Sequence, residues 1–153
     1  MGNSRIIYIG ADHAGFYLKE SAKKYLAGQG FVIKDFGAPE YDELDDFPDF
    51  FHPLAKSLSR NNRVRAVIFG GSGMGESIVL NRYKNVRCGV WYGGNKEIVK
   101  NYREHDNINS LAIASRYIKK SDLFEIINIF LKTKFLNIAR YRRRVAKIDQ
   151  IDK

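Results

Sequence analysis

The stretch Gly70-Gly71-Ser72-Gly73-Met74-Gly75-Glu76 sets four glycines in seven positions and ends on a carboxylate, directly after the apolar run Val67–Phe69. Glycine costs backbone entropy and adds nothing to a core, so bare backbone is needed here for another purpose. Between a strand and a helix, such a turn aims N–H groups at one point, at the positive end of the helix dipole. The spacing is neither G-x-G-x-x-G nor a P-loop, and no lysine follows, so both nucleotide readings weaken. Glu76 would repel a phosphate held in that nest. It suits a neutral carbon acid whose enolate oxygen the N–H groups stabilise, which is the arrangement for proton abstraction beside a carbonyl. Glu76 also reads as an ordinary first-turn acid favoured by the dipole, and the residues alone leave both readings open.

Other residues could join it. Asp12 and His13 follow the buried-looking run Ile6–Gly10, where an Asp is also a common helix N-cap. His105 stands between charges in Arg103-Glu104-His105-Asp106. His52, in Phe50-Phe51-His52-Pro53-Leu54, reads as a packed loop residue, and Cys88, inside a strand, as buried and inert. Arg140 and Arg144 lie four apart, so a helix puts them on one face about 6 Å apart along its axis, where they can grip one phosphate. Arg142 and Arg143 point elsewhere.

Five short apolar runs must position these groups: 5–10, 31–37, 65–71, 86–91 and 110–115. Between them apolar residues recur at helical spacing, as in Leu18, Ala22, Tyr25, Leu26 and Leu123, Ile127, Phe130, Leu131. Pro48 and Pro53 punctuate an acidic loop before a helix near 53–60. Strand and helix alternating five times predict a Rossmann-like α/β/α sandwich around a five-stranded parallel sheet, one domain over residues 1–153. In such sheets ligands bind beyond the carboxyl ends of the strands, where the loops after the first and third runs lie.

The chain of 153 residues carries 26 Lys and Arg against 17 Asp and Glu, a net +9. Residues 131–153 supply +6 of it, while residues 35–49 hold seven acids and no base. A basic C-terminus suits nucleic acid, a phosphorylated small molecule or a solvated helix face. No apolar run approaches the roughly 20 residues of a membrane span. No secretory signal is visible, and the myristoylation-like start Met1-Gly2-Asn3-Ser4 runs almost at once into a strand. One cysteine and three histidines make a poor supply of zinc ligands. A cytoplasmic protein without a structural metal is expected.

With these residues assembled, the chain resembles the ribose-5-phosphate isomerase B family, a sugar-phosphate isomerase group that also holds galactose-6-phosphate isomerase. The likeness runs nearly end to end, through IGADHAGFYLKE, DFPDF, GGSGMGESI, NYREHDNIN, IASRYI and RYRRRVAKI. It implies interconversion of D-ribose 5-phosphate and D-ribulose 5-phosphate in the pentose phosphate pathway, through a cis-enediol and without metal or cofactor. Many members use a cysteine where Gly70 stands; a second subgroup uses a glutamate at the end of the loop, as here. The resemblance therefore implies Glu76 as the base and Ser72 facing the reacting oxygens, with the amides of Gly71, Gly73 and Gly75 as the anion hole. It assigns Asp12 and His13 to the sugar and phosphate, His105 to ring opening, and Arg116, Arg140 and Arg144 to the phosphate. A homodimer with the pocket between subunits is implied, with a pair of dimers as the larger form.

Three departures accompany it. Asp106 replaces the family's Asn and accepts but does not donate to an enediolate; Asn107 is the candidate to take over. The usual C-terminal Gly-Gly-Arg-His is Ile138-Ala139-Arg140-Tyr141, with one residue added upstream. The nearest rival is the same chemistry on allose 6-phosphate or galactose 6-phosphate, because pocket volume depends on loops such as 38–49. The rival of another class is a nucleic-acid module over 132–147 using Phe135 and Tyr141, which lacks the known signatures.

Overall fold

In the computed structural model, residues 5–151 are described; the start Met1–Ser4, with its myristoylation-like pattern, lies outside them. The strands are β1 (Ile6–Ala11), β2 (Val32–Asp35), β3 (Arg65–Gly70), β4 (Cys88–Trp91) and β5 (Ser110–Ala114). The helices are α1 (Phe16–Gly28), α2 (Phe47–Arg60), α3 (Met74–Leu80), α4 (Glu97–Asp106), α5 (Leu123–Lys132) and α6 (Ala139–Asp149). All strand pairs are parallel, in the order β2-β1-β3-β5-β4. The expected five-stranded sandwich is the observed fold.

The central strands are apolar on both sides because helices cover both. Ile7, Ile9, Val67, Phe69, Leu111 and Ile113 pack with Leu18, Leu26, Ile127 and Phe130. Tyr8, Ala66, Ile68 and Ala112 pack with Phe51, Leu54, Leu58 and Leu80. At about 25 cal/mol per Å², each such large side chain contributes about 1.5–3 kcal/mol by leaving water. The winding reverses between β1 and β3, so the loops after these two strands open side by side at one edge.

The start of α2 corrects the expected boundary. The helix begins at Phe47 rather than near 53, with Pro48 in its first turn and Pro53 inside it. A proline in the first turn removes an N–H that has no helical acceptor anyway. Pro53 and its neighbour His52 lie on the exposed side, opposite the buried Phe51, Leu54, Ala55 and Leu58. His52 is thus an exposed helical residue hydrogen-bonded to the Tyr83 hydroxyl, not a packed loop residue.

Candidate functional site

β3 ends at Gly70, and the chain turns through Gly73, whose φ of 74° lies in the left-handed region that glycine enters without strain. α3 then begins, and Glu76 sits in its first turn with only 4% of its surface exposed. A charged first-turn side chain would ordinarily point to water; this one points inward. Its carboxyl fills the space beside Gly70: a Cβ there would lie 2.1 Å from the Glu76 carboxyl carbon and from Oε1. Burial raises the Glu76 pKa, and the neighbouring Asp12 carboxyl, in hydrogen-bond contact with it, raises it further.

Asp12, 7% exposed, is the last residue before a short 3-10 turn over His13–Gly15 and accepts the N–H groups of Ala14 and Gly15 at 3.0 and 3.3 Å. Its own pKa is raised, chiefly by burial, against the lowering effect of those N–H groups. The N-cap reading of Asp12 is thus the observed geometry, and its carboxyl also meets that of Glu76. The N–H groups of Gly71, Gly73 and Gly75 donate to no acceptor in the turn and loop hydrogen bonds of the described residues. Ser72 is exposed, and its Oγ accepts the Met74 N–H at 3.2 Å, which leaves its own proton to donate. The Arg116 backbone N–H donates to the Gly71 carbonyl at 3.1 Å, and its guanidinium lies against the Gly71 Cα.

One participant was not singled out from the sequence. Asp45, in the acidic loop before α2, accepts from both the backbone N–H and the Nδ1 of His13, at 3.2 and 2.7 Å. This interaction raises the His13 pKa and leaves Nε2 as the ring nitrogen open to a ligand. Among seven acids in fifteen residues, no local pattern distinguishes Asp45. Donor atoms of Asp12, His13 and Asp45 lie within 4.8 Å of one another, and they are engaged in these hydrogen bonds. In Asp45→Asn the imidazolium loses its anionic partner. The His13 titration midpoint, followed by NMR, therefore falls; an unchanged midpoint would show that another group sets it.

The remaining expected site residues stand elsewhere. His105 and Asp106 close α4, and Asn107 caps it at φ 48°. Because α4 leads into the start of β5, these residues lie at the opposite edge of the sheet from Glu76. The Asn107 Oδ1 accepts from Arg103 at 3.0 Å, which engages the oxygen of its amide and leaves the Nδ2 as the donor half. His105 stacks on Tyr141 of α6, ring centroids 4.6 Å apart. α6 exposes Arg140 and Arg144 together, as their spacing predicted, and buries Tyr141 and Val145. Buried Tyr141 is not free to stack on a nucleobase. Across strands of five or six residues, the two groups of site residues stand roughly 20 Å apart within one chain.

Cys88 is half-buried, and burial pushes its thiol up to about 12. A thiol so protonated is a poor nucleophile or base at neutral pH.

A family model described as Ribose/Galactose Isomerase matches residues 7–148. The chain is 31% identical over 142 residues to the probable ribose-5-phosphate isomerase B of Mycoplasma pneumoniae, covering 93% of this chain and 91% of that protein. It is likewise 31% identical over 139 residues to ribose-5-phosphate isomerase B of Mycobacterium tuberculosis, covering 91% and 85%. Among solved structures, ribose-5-phosphate isomerase B from Mycoplasma genitalium with bound ribulose-5-phosphate superposes with a TM-score of 0.89 at 30% identity, covering 95% of this chain and 94% of that one. The Thermotoga maritima enzyme gives a TM-score of 0.87 at 34% identity, covering 95% and 98%.

Proposed function

The chain belongs to the ribose/galactose isomerase family, and on that basis we infer that it interconverts D-ribose 5-phosphate and D-ribulose 5-phosphate. The observation that carries the reading is the buried Glu76 carboxyl held against Gly70, beneath a loop with unengaged N–H groups. Glu76 takes the proton from the carbon beside the carbonyl. The glycine-loop amides stabilise the oxygen of the resulting cis-enediolate, and the same carboxyl returns the proton to the adjacent carbon. A raised pKa makes Glu76 a stronger base than an exposed glutamate, and burial means little solvent has to be reorganised as charge moves. Ser72 orients the reacting oxygens, while Asp12, His13 and Arg116 hold the sugar and phosphate end.

His105, Arg140 and Arg144 complete this site only from a second copy of the chain. We therefore place the pocket between two subunits, with His105 opening the sugar ring and the two arginines holding the phosphate. This reading is supported by the two-edged distribution of the residues and by exposed apolar side chains on α3, Met74 at 54% and Ile78 at 52%. A phosphorylated sugar does not cross a bilayer unaided, which fits work in the cytoplasm. A coupled assay with ribose 5-phosphate, allose 6-phosphate and galactose 6-phosphate tests the substrate. Turnover of the five-carbon sugar is expected, and preference for a six-carbon one would overturn this reading.

The shared site makes a quantitative prediction. Arg140→Ala/Arg144→Ala subunits and Glu76→Gln subunits are each inactive alone. Unfolded and refolded together in equal amounts, they form mixed dimers in half the cases. Each mixed dimer has one intact site of two, so about a quarter of the wild-type activity returns. No recovery, with mixed dimers demonstrated by mass, would show that each site is built from one chain.

A further inference from the structure

At the edge of the sheet opposite Glu76, a cavity of about 480 Å³ opens between the starts of β1 and β3 and the end of α5. That volume falls within the range of small-molecule sites. Arg5, Arg63, Arg65 and Lys132 line it, and no acid among the described residues does. Exposed cations are commonly paired with acids, yet Arg5, Arg63 and Lys132 make no ion pair among the described residues. Arg65 is partly buried and fixed, donating to the Phe130 and Leu131 carbonyls at the end of α5. Burial pulls its pKa down, a cost that a bound anion would relieve. Positive charge is dense beyond the cavity too: Arg65 and Arg87 both depress the pKa of the buried Arg103.

The rest of the lining is not ionic. Phe31 and Leu131 give it an apolar wall, and Asn128 stands beside them. The Asn128 Nδ2 donates to the Tyr25 hydroxyl at 2.6 Å, which leaves the Oδ1 of this lining residue as its acceptor. Inorganic phosphate would leave that wall and the amide unused. A ligand with phosphates at one end and a flat, hydrogen-bonding ring at the other uses all of it.

We propose that this cavity is a second ligand site, separate from the isomerase pocket, that takes a nucleotide bearing at least two phosphates. The phosphates lie on the guanidiniums of Arg5, Arg63 and Arg65, and the base lies against Phe31 and Leu131 with its edge at Asn128. β1 and β3 run from this cavity to Asp12 and to the Gly70 turn, so the ligand sits at the far end of the two strands that carry the isomerase groups.

The test is calorimetric titration of the full-length protein with ADP, pyrophosphate and adenosine, with ribose 5-phosphate saturating the isomerase pocket. ADP is expected to bind one per chain, more tightly than either pyrophosphate or adenosine, and more weakly as salt rises. Arg5→Ala/Arg63→Ala is expected to weaken ADP at least about tenfold, as for loss of charge-assisted hydrogen bonds, with isomerisation and thermal stability unchanged. Both positions are exposed, so the variant folds. Three results would overturn the proposal: no ADP binding at millimolar concentration, pyrophosphate binding as tightly as ADP, or ADP binding that the double variant leaves intact.

Discussion

Glu76→Gln lowers kcat for ribose 5-phosphate by about 10²–10⁴-fold, the range supplied by a positioned general base. The amide keeps the shape of the side chain but cannot take a proton at neutral pH. Glutamine in this place also loses nothing in packing, so thermal stability and phosphate binding stay close to wild type. Activity within a few-fold of wild type would move the search for the base to Asp12, the other buried carboxyl at this edge.

Gly70→Ala produces a comparable loss by a different route. The added methyl would fall 2.1 Å from the Glu76 carboxyl, far inside van der Waals contact, so either the carboxyl or the turn must move. Overpacking of this kind costs about 1–3 kcal/mol of stability, which a domain of this size tolerates. Displacing a reacting group by about 1 Å costs on the order of 10²-fold in rate. Kinetics and a melting curve measured together separate the two effects. Full activity with alanine at 70 would show that the carboxyl does not work from the place it occupies.

Several elements of this arrangement were legible in the sequence for identifiable reasons. The five strands announced themselves because a doubly covered parallel sheet needs near-continuous apolar runs, as in Ile7–Gly10 and Ala66–Phe69. The glycine turn stood out because four glycines in seven residues have no structural explanation in a strand or a helix. Arg140 and Arg144 share an exposed face because helical spacing is a local property. The start of α2 was hidden by its prolines, which read as loop residues although one sits in the first turn and the other at an exposed position. Asp45 was hidden for another reason: its contact with His13 spans 32 positions in the chain and depends on how an acidic loop folds back. The bond from Arg103 to the Asn107 Oδ1 was hidden too, because it exists only once α4 ends in a left-handed cap. The inward turn of Glu76 is likewise tertiary, since the same first-turn glutamate would face water on any helix not packed against a glycine.

The most direct measurement of the central claim follows the proton itself. With wild-type protein and ribose 5-phosphate in D₂O, a carboxyl that shuttles a proton between two carbons exchanges it with solvent in some turnovers. Deuterium then accumulates at C2 of ribose 5-phosphate, seen by NMR. With Glu76→Gln, folded and still binding the sugar phosphate, no deuterium enters over the same period. Deuterium entering C2 at the wild-type rate in that variant would mean that another group takes the proton, and Glu76 would not be the base.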